Sequence, residues 1–259
     1  MINEREVFIL IYLDNAATTK AFEEVLDTYL KVNQSMYYNP NSPHKAGLQA
    51  NQLLQQAKTQ INAMINSKTN YDVVFTSGAT ESNNLALKGI AYRKFDTAKE
   101  IITSVLEHPS VLEVVRYLEA HEGFKVKYVD VKKDGSINLE HFKELMSDKV
   151  GLVTCMYVNN VDSISLSGHK FNGLKGQGVL LVNHIQNVEP TVHGGGQEYG
   201  VRSGTVNLPN DIAMVKAMKI ANENFEALNA FVTELNNDVR VRASVRIRGC
   251  KIFGSTRRI

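Results

Sequence analysis

With 259 residues, 43% of them hydrophobic, the chain is long enough to bury one large core or two modest ones, which places it among globular proteins. Its 29 lysines and arginines against 27 aspartates and glutamates leave a formal charge of +2, too balanced to argue for nucleic acid or a membrane surface as partner. The two cysteines, Cys155 and Cys250, exclude a disulfide framework and any Cys/His zinc spacing, so a reducing cytoplasm is the expected compartment.

The apolar cluster "VFILIYL" near the start is too short to span a membrane and lacks the flanks of a secretion signal. Ser42 is expected to cap a helix with Pro43 at its first position, because Leu48, Leu53, Leu54, Ala57, Ile61 and Ile65 then recur at helical spacing. Short apolar runs at 71–77, 100–105, 124–131 and 150–158 read as strands, separated by helical patterns at 81–93, 109–121 and 139–146, with "KKDGS" as a turn. Alternation of this kind predicts βαβ units and a mainly parallel sheet. Beyond it lie "SLSGHKFNG" (165–173), a strand "GVLLVN", a glycine-rich loop "HGGGQEYGVRSGT" (193–205) and one long helix over about 209–236.

Two places carry candidate chemistry. In "TSGATESNN" (76–84) a strand runs into a helix, so free backbone N–H groups and the positive helix end converge where a phosphate or carboxylate can sit; an ordinary cap by Ser77 or Thr80, with Glu81 on the dipole, explains the same letters. A Walker loop would need Lys then Ser or Thr after its last glycine, and a dinucleotide fold GxGxxG opening a helix; "GLKGQG" satisfies neither. A lone lysine at a strand end, Lys170, suits imine chemistry if its amine is partly desolvated, and pyridoxal phosphate is the cofactor that needs both such a lysine and a phosphate cradle. Most loop lysines are simply solvated.

Seven blocks in order, "YLDNAATT", "NPNSPHKAG", "FTSGATESNN", "EHPSV", "VNN", "SGHKFNG" and "HGGGQEYGVRSGT", resemble the NifS-like cysteine desulfurases of the class V aminotransferase group over about 11–236. The resemblance implies an α/β chain of the type I pyridoxal phosphate-dependent transferase fold, a three-layer αβα large domain with a mainly parallel sheet and an incomplete small domain. Residues 1–20 would be an N-terminal arm that packs with the small domain, 21–208 the cofactor domain, and 209–259 a linking helix with an incomplete or atypical C-terminal domain. By the same resemblance Lys170 would carry pyridoxal 5'-phosphate as a Schiff base and shuttle protons. Ala79, Thr80, Ser167 and His169 would bind its phosphate, His108 would stack on the ring and act in acid/base steps, and Asn160 would bond the ring hydroxyl. Thr205 would reach the phosphate of a neighbouring subunit, which implies a homodimer.

The implied reaction takes sulfur from L-cysteine, leaving L-alanine and an enzyme-bound persulfide for iron-sulfur cluster or thio-cofactor assembly, with a sulfur-acceptor or scaffold protein as partner. A noncatalytic family member, a selenocysteine lyase and an aminotransferase are the alternatives. Two departures from the family pattern stand out. Asn160 runs straight into Val161, where the family has a helix and a strand bearing the aspartate that faces the ring nitrogen. Four residues, "NNVD", cannot provide a parallel crossover, which needs a dozen or more. Beyond Val239 the basic tail is expected to lie outside the family pattern, with Cys250 an ordinary tail cysteine; Cys155 is expected in a strand of the core.

Overall fold

A computed structural model describes residues 11–65, 70–156 and 161–246. Among these described residues six strands and seven α-helices follow in order: α1 (Glu23–Ser35), α2 (Lys45–Ile65), β1 (Asp72–Thr76), α3 (Ala79–Lys94), β2 (Glu100–Ser104), α4 (Pro109–His121), β3 (Lys125–Val129), α5 (Leu139–Leu145), β4 (Val150–Val153), β5 (Ser163–Ser167), β6 (Gly178–Val182), α6 (Leu208–Glu223) and α7 (Phe225–Arg246). They form two three-stranded sheets. One is parallel in the order β3-β2-β4; in the other, β1-β6-β5, the middle strand runs antiparallel to both neighbours.

Period-two alternation builds the layers. Val73 and Phe75 of β1 and Val179 and Leu181 of β6 face α2 and α6, against Leu54, Ile61, Met214 and Met218. Val74, Leu180 and Val182 face the other way, against Leu85 and Ala86 of α3. The same period sorts "SISLS" in β5: Ile164 and Leu166 join the α2/α6 side, while the Ser165 hydroxyl reaches Asn83 on α3. A second core joins β2 and β3 to α3 and α4 through Leu87, Ile101, Val115, Leu118 and Val126. α3 touches strands of both sheets and is the spine between them.

The sheets divide at the point where the sequence analysis expects a departure from the family pattern. β4 and β5, consecutive in the chain, lie at the edges of different sheets instead of pairing. A parallel partner for β4 at this point would need a crossover that the nine residues between Val153 and Ser163 do not hold.

Several sequence expectations shift at their edges. α2 starts at Lys45, not at Pro43, because the His44 ring nitrogen Nδ1 accepts the Gly47 N–H and takes the place of the Ser42 cap. β4 stops at Val153, so Cys155 lies beyond the strand and is half-buried, not a core residue. The long helix expected over 209–236 is two, broken at Asn224, whose side chain turns back onto the Ile220 carbonyl. The "KKDGS" turn forms as expected: Lys132 N–H reaches the Ser136 carbonyl, and Gly135 takes φ +85°, a left-handed conformation costly for other residues.

Candidate functional site

The cradle is built where β1 meets α3. Gly78 precedes the helix with φ +155° and leaves the N–H groups of the first turn facing outward. A Cβ on Gly178, in the adjacent strand, would come within 2.4 Å of the Gly78 Cα, so glycine at 178 is what lets the two backbones meet. Gly78 also lies beside β5: a Cβ built on it would sit 3.9 Å from Ser167 Oγ. Ala79 and Ser167 are half-buried at this junction and Thr80 is exposed. The Glu81 carboxylate accepts the Ser77 N–H at 2.6 Å and pairs with Arg202 at 2.7 Å, tying the cradle to the glycine-rich loop. Burial alone would raise the Glu81 carboxyl, but Arg202 and the Ser77 amide outweigh it and hold the group below its usual value.

His169 and Lys170 follow in a single 3-10 turn, Gly168–Lys170. The Gly168 amide is fixed by the Gln177 carbonyl, and Gln177, itself buried, bonds α6 through the Asn210 carbonyl. Lys170 Nζ donates to the carbonyls of Ala16 and Ala17, the latter at 2.9 Å, and Thr19 N–H reaches the His169 carbonyl. The described part of the N-terminal arm therefore packs on this turn. The expected partial desolvation of Lys170 is not met, since the residue is solvent-exposed and held by carbonyl dipoles. His169 is half-buried with Nδ1 3.2 Å from Thr18 Oγ1; burial and then the nearby Lys170 and Lys175 charges push its imidazole down, towards the neutral form.

His108 caps α4. Its Nδ1 accepts the Ser110 N–H at 3.1 Å, which assigns the neutral ring's proton to Nε2, an atom left free on an exposed residue. A chain of hydrogen bonds links this ring to the cradle side of β5: Ser110 Oγ lies 2.8 Å from His108 Nδ1 and accepts from Asn83, which accepts from Ser165. The cap and the acid/base reading of His108 are thus compatible. Beside it the buried Glu107 accepts the Met156 N–H; burial raises its carboxyl despite that bond. Cys155 is also raised, by burial and then by the Glu107 charge, which disfavours its thiolate.

The structure brings Ala79, Thr80 and Ser167 to one junction, with His169 and Lys170 on the following turn. His108 connects to it through Asn83. Thr205 is exposed in the glycine-rich loop. Asn160 and Cys250 lie outside the described residues.

The loop itself is held by residues that sequence reasoning did not single out. Glu198, at φ +47°, and Tyr199, at φ +59°, adopt conformations unfavourable for side-chain-bearing residues. The Glu198 carboxylate compensates by accepting both Lys58 Nζ and the Phe75 N–H at 2.9 Å, joining the loop to α2 and β1. The one available signal was Lys58 itself, a lysine at a core-facing helix position next to Ala57 and Ile61.

A family model described as Aminotransferase class-V matches residues 11–162 and 160–257. The chain belongs to the class V aminotransferase family. The two matched stretches meet at 160–162, the point where the sheets divide. The second stretch runs to residue 257, so the expectation that the tail beyond Val239 lies outside the class V pattern does not hold. Among curated relatives, a "NifS/IcsS protein homolog" of Lactobacillus delbrueckii subsp. bulgaricus is 36% identical, over 82% of this chain and 66% of that protein. A "Cysteine desulfurase IscS" of Ehrlichia chaffeensis is 34% identical, over 90% of this chain and 67% of that protein. The chain thus spans about two thirds of the length of these curated relatives. A solved "NIFS-LIKE PROTEIN" superposes with a TM-score of 0.85 at 30% identity, covering 93% of this chain and 77% of that one, which places the chain in the NifS-like form of the class V fold.

Proposed function

We propose that this chain binds pyridoxal 5'-phosphate and takes sulfur from L-cysteine, releasing L-alanine and leaving the sulfur as a persulfide on a protein thiol. The observation that carries the reading is the junction where the open α3 amino end, the Ser167 hydroxyl and the His169–Lys170 turn converge. These groups fit the phosphate end of the cofactor: backbone N–H groups and the helix dipole stabilise an anion there, and a Cβ at Gly178 would press into the Gly78 backbone beside it. Membership of the class V family supports the same choice. Pyridoxal phosphate, when bound, supplies an electron-accepting ring that lowers the cost of removing a proton from the substrate α-carbon.

The chain's own groups then have separate tasks. Ala79, Thr80, Ser167 and His169 hold the phosphate, and His169, pushed towards its neutral form, acts as a dipolar partner without adding a charge. Lys170 offers the amine that anchors the cofactor and moves the α-proton, after its Nζ leaves the Ala16 and Ala17 carbonyls. His108 keeps Nδ1 on the α4 cap and uses Nε2 to hold or give a proton, with Asn83 and Ser110 fixing the ring. Asn160, by the family resemblance, would bond the ring hydroxyl. Cys155, with its thiol raised, does not suit the role of persulfide carrier. Exposed Thr205 would reach the cofactor phosphate of a second copy in a homodimer. A scaffold or acceptor protein receives the sulfur for iron-sulfur cluster or thio-cofactor assembly, in the cytoplasm. Among the described residues no helix is long and apolar enough to cross a membrane.

A second reading is favoured by one observation. No described strand stands between β4 and β5 to carry an acid to the ring nitrogen, so the chain holds the cofactor without completing turnover. Borohydride reduction of the protein supplied with pyridoxal phosphate, followed by peptide mass analysis, tests the shared part: the label belongs on Lys170, and an unlabelled Lys170 overturns both readings. Alanine release from L-cysteine separates them.

A further inference from the structure

His108 stands past the end of β2, in the parallel sheet, whereas Lys170 follows β5, in the other sheet, and no described strand joins the two. The stretch from Glu107 to Ser110 takes hold of both sides. Glu107 accepts the Met156 N–H beyond β4, and Ser110 is linked to Ser165 of β5 through Asn83 of α3. Asn83, Ser110 and Ser165 are all half-buried, so water competes with their bonds less than it does on an open surface.

The direction of this chain follows from its one fixed member. A backbone N–H only donates, so the Ser110 amide makes Nδ1 of His108 an acceptor without a proton of its own. Ser110 Oγ, 2.8 Å from the same nitrogen, must then supply the hydrogen of that contact. Its hydroxyl proton is committed there, so its bond with Asn83 has to be received, and Asn83 Nδ2 donates to it at 2.8 Å. That turns Asn83 Oδ1 towards β5, where it accepts the Ser165 hydroxyl. Every hydrogen therefore points from β5 towards the ring.

We propose that Asn83 is the positioning residue of His108: by offering Ser110 a donor and not an acceptor, its amide commits the Ser110 hydroxyl to Nδ1, keeps the ring proton on Nε2 and holds the ring in register with the Lys170 turn across the division of the sheets. The inference rests on the reading of His108 as the group that holds or gives a proton, and it names the residue that decides which ring nitrogen presents one. Asparagine and aspartate differ here in direction as well as charge. A carboxylate at position 83 accepts from both serines, so Ser110 Oγ turns its lone pairs to the ring and draws the proton onto Nδ1, against the one backbone amide that remains there.

NMR of the ring nitrogens tests this in cofactor-free protein carrying nitrogen-15 histidine, at about pH 9, above the range of imidazole ionisation, with His108→Asn identifying the signal. Wild type should show Nε2 protonated. Asn83→Asp, checked for folding by circular dichroism, should move the ring towards the tautomer protonated on Nδ1. Ser165→Ala frees the Asn83 amide to turn its oxygen to Ser110; it should give the same change to a smaller extent, and it decides the matter if Asn83→Asp does not fold. With neither cofactor nor substrate present, the tautomer is read independently of whether the protein releases alanine. Where it does, Asn83→Asp should lower kcat about tenfold, the worth of one hydrogen bond, with KM for L-cysteine within about twofold. A wild-type ring protonated on Nδ1, or the wild-type tautomer retained in folded Asn83→Asp, or in Ser165→Ala should the first variant not fold, would overturn the proposal.

Discussion

Replacing Lys58 with methionine removes one charge from the most deeply buried ion pair and leaves the side-chain volume nearly unchanged. The side chains of Lys58 and Glu198 are only 8% and 4% exposed, and their atoms lie 2.9 Å apart. Glu198 cannot leave with its partner, since the same oxygen accepts the Phe75 N–H and the carboxylate holds a loop in two positive-φ residues. Breaking a buried pair on one side costs about 3–5 kcal/mol, most of it the stranded charge. Loss of the ammonium over the Tyr199 ring, 4.4 Å from its centroid, adds roughly 0.5–2 kcal/mol. With an unfolding entropy of about 2.1 cal/mol/K per residue, the pair alone corresponds to a fall in Tm of ~6–9 °C for a chain of this length. Urea denaturation of wild type, Lys58→Met, Glu198→Gln and the double variant measures the coupling. The double variant should recover most of the loss, because a glutamine can still accept from Phe75 while carrying no charge. A loss below about 1 kcal/mol in Lys58→Met, or a double variant no better than the single one, would refute the stranded-charge account.

Three further outcomes follow from the same geometry. Glu81→Gln loses the charged bond to Arg202; because the folded carboxyl is depressed, wild type should exceed the variant fully above pH 4.5 and lose that margin as pH falls through the lower folded value, measurable by unfolding at a series of pH values. His108→Ala should cost about 1 kcal/mol by uncapping α4, whereas His108→Asn should keep the cap and the stability but abolish alanine release, which separates the two roles of the ring. Gly178→Ala places a methyl 2.4 Å from Gly78 Cα and should destabilise by roughly 1–3 kcal/mol while weakening pyridoxal phosphate binding, read by absorbance titration.

Much of the frame was legible in the letters because its signals are local. The strand "YDVVFTS" running into "GATESNN" names a strand end, a glycine and a helix start without reference to any other part of the chain, and β1 and α3 follow. Pro109 and His121 bound α4 as read, since a proline at the first position and an apolar period of 3.6 are properties of the segment itself. The break at Asn224 left no glycine or proline to announce it.

What the sequence alone determined, then, is the order of elements and the set of polar residues standing at strand ends. Which of those residues meet was decided by the tertiary structure. Lys58 and Glu198 are 140 positions apart, and Glu81 and Arg202 are separated by 121; nothing in either neighbourhood encodes the other's charge. That Asp211 Oδ2 is buried without a partner emerges only after the neighbouring ionic groups have been matched in space, because pairing depends on distance through the fold and not on spacing along the chain. Likewise the division between β4 and β5 is a consequence of where strands find hydrogen-bonding partners, and a connection too short to cross back at that point leaves β4 and β5 at the edges of separate sheets.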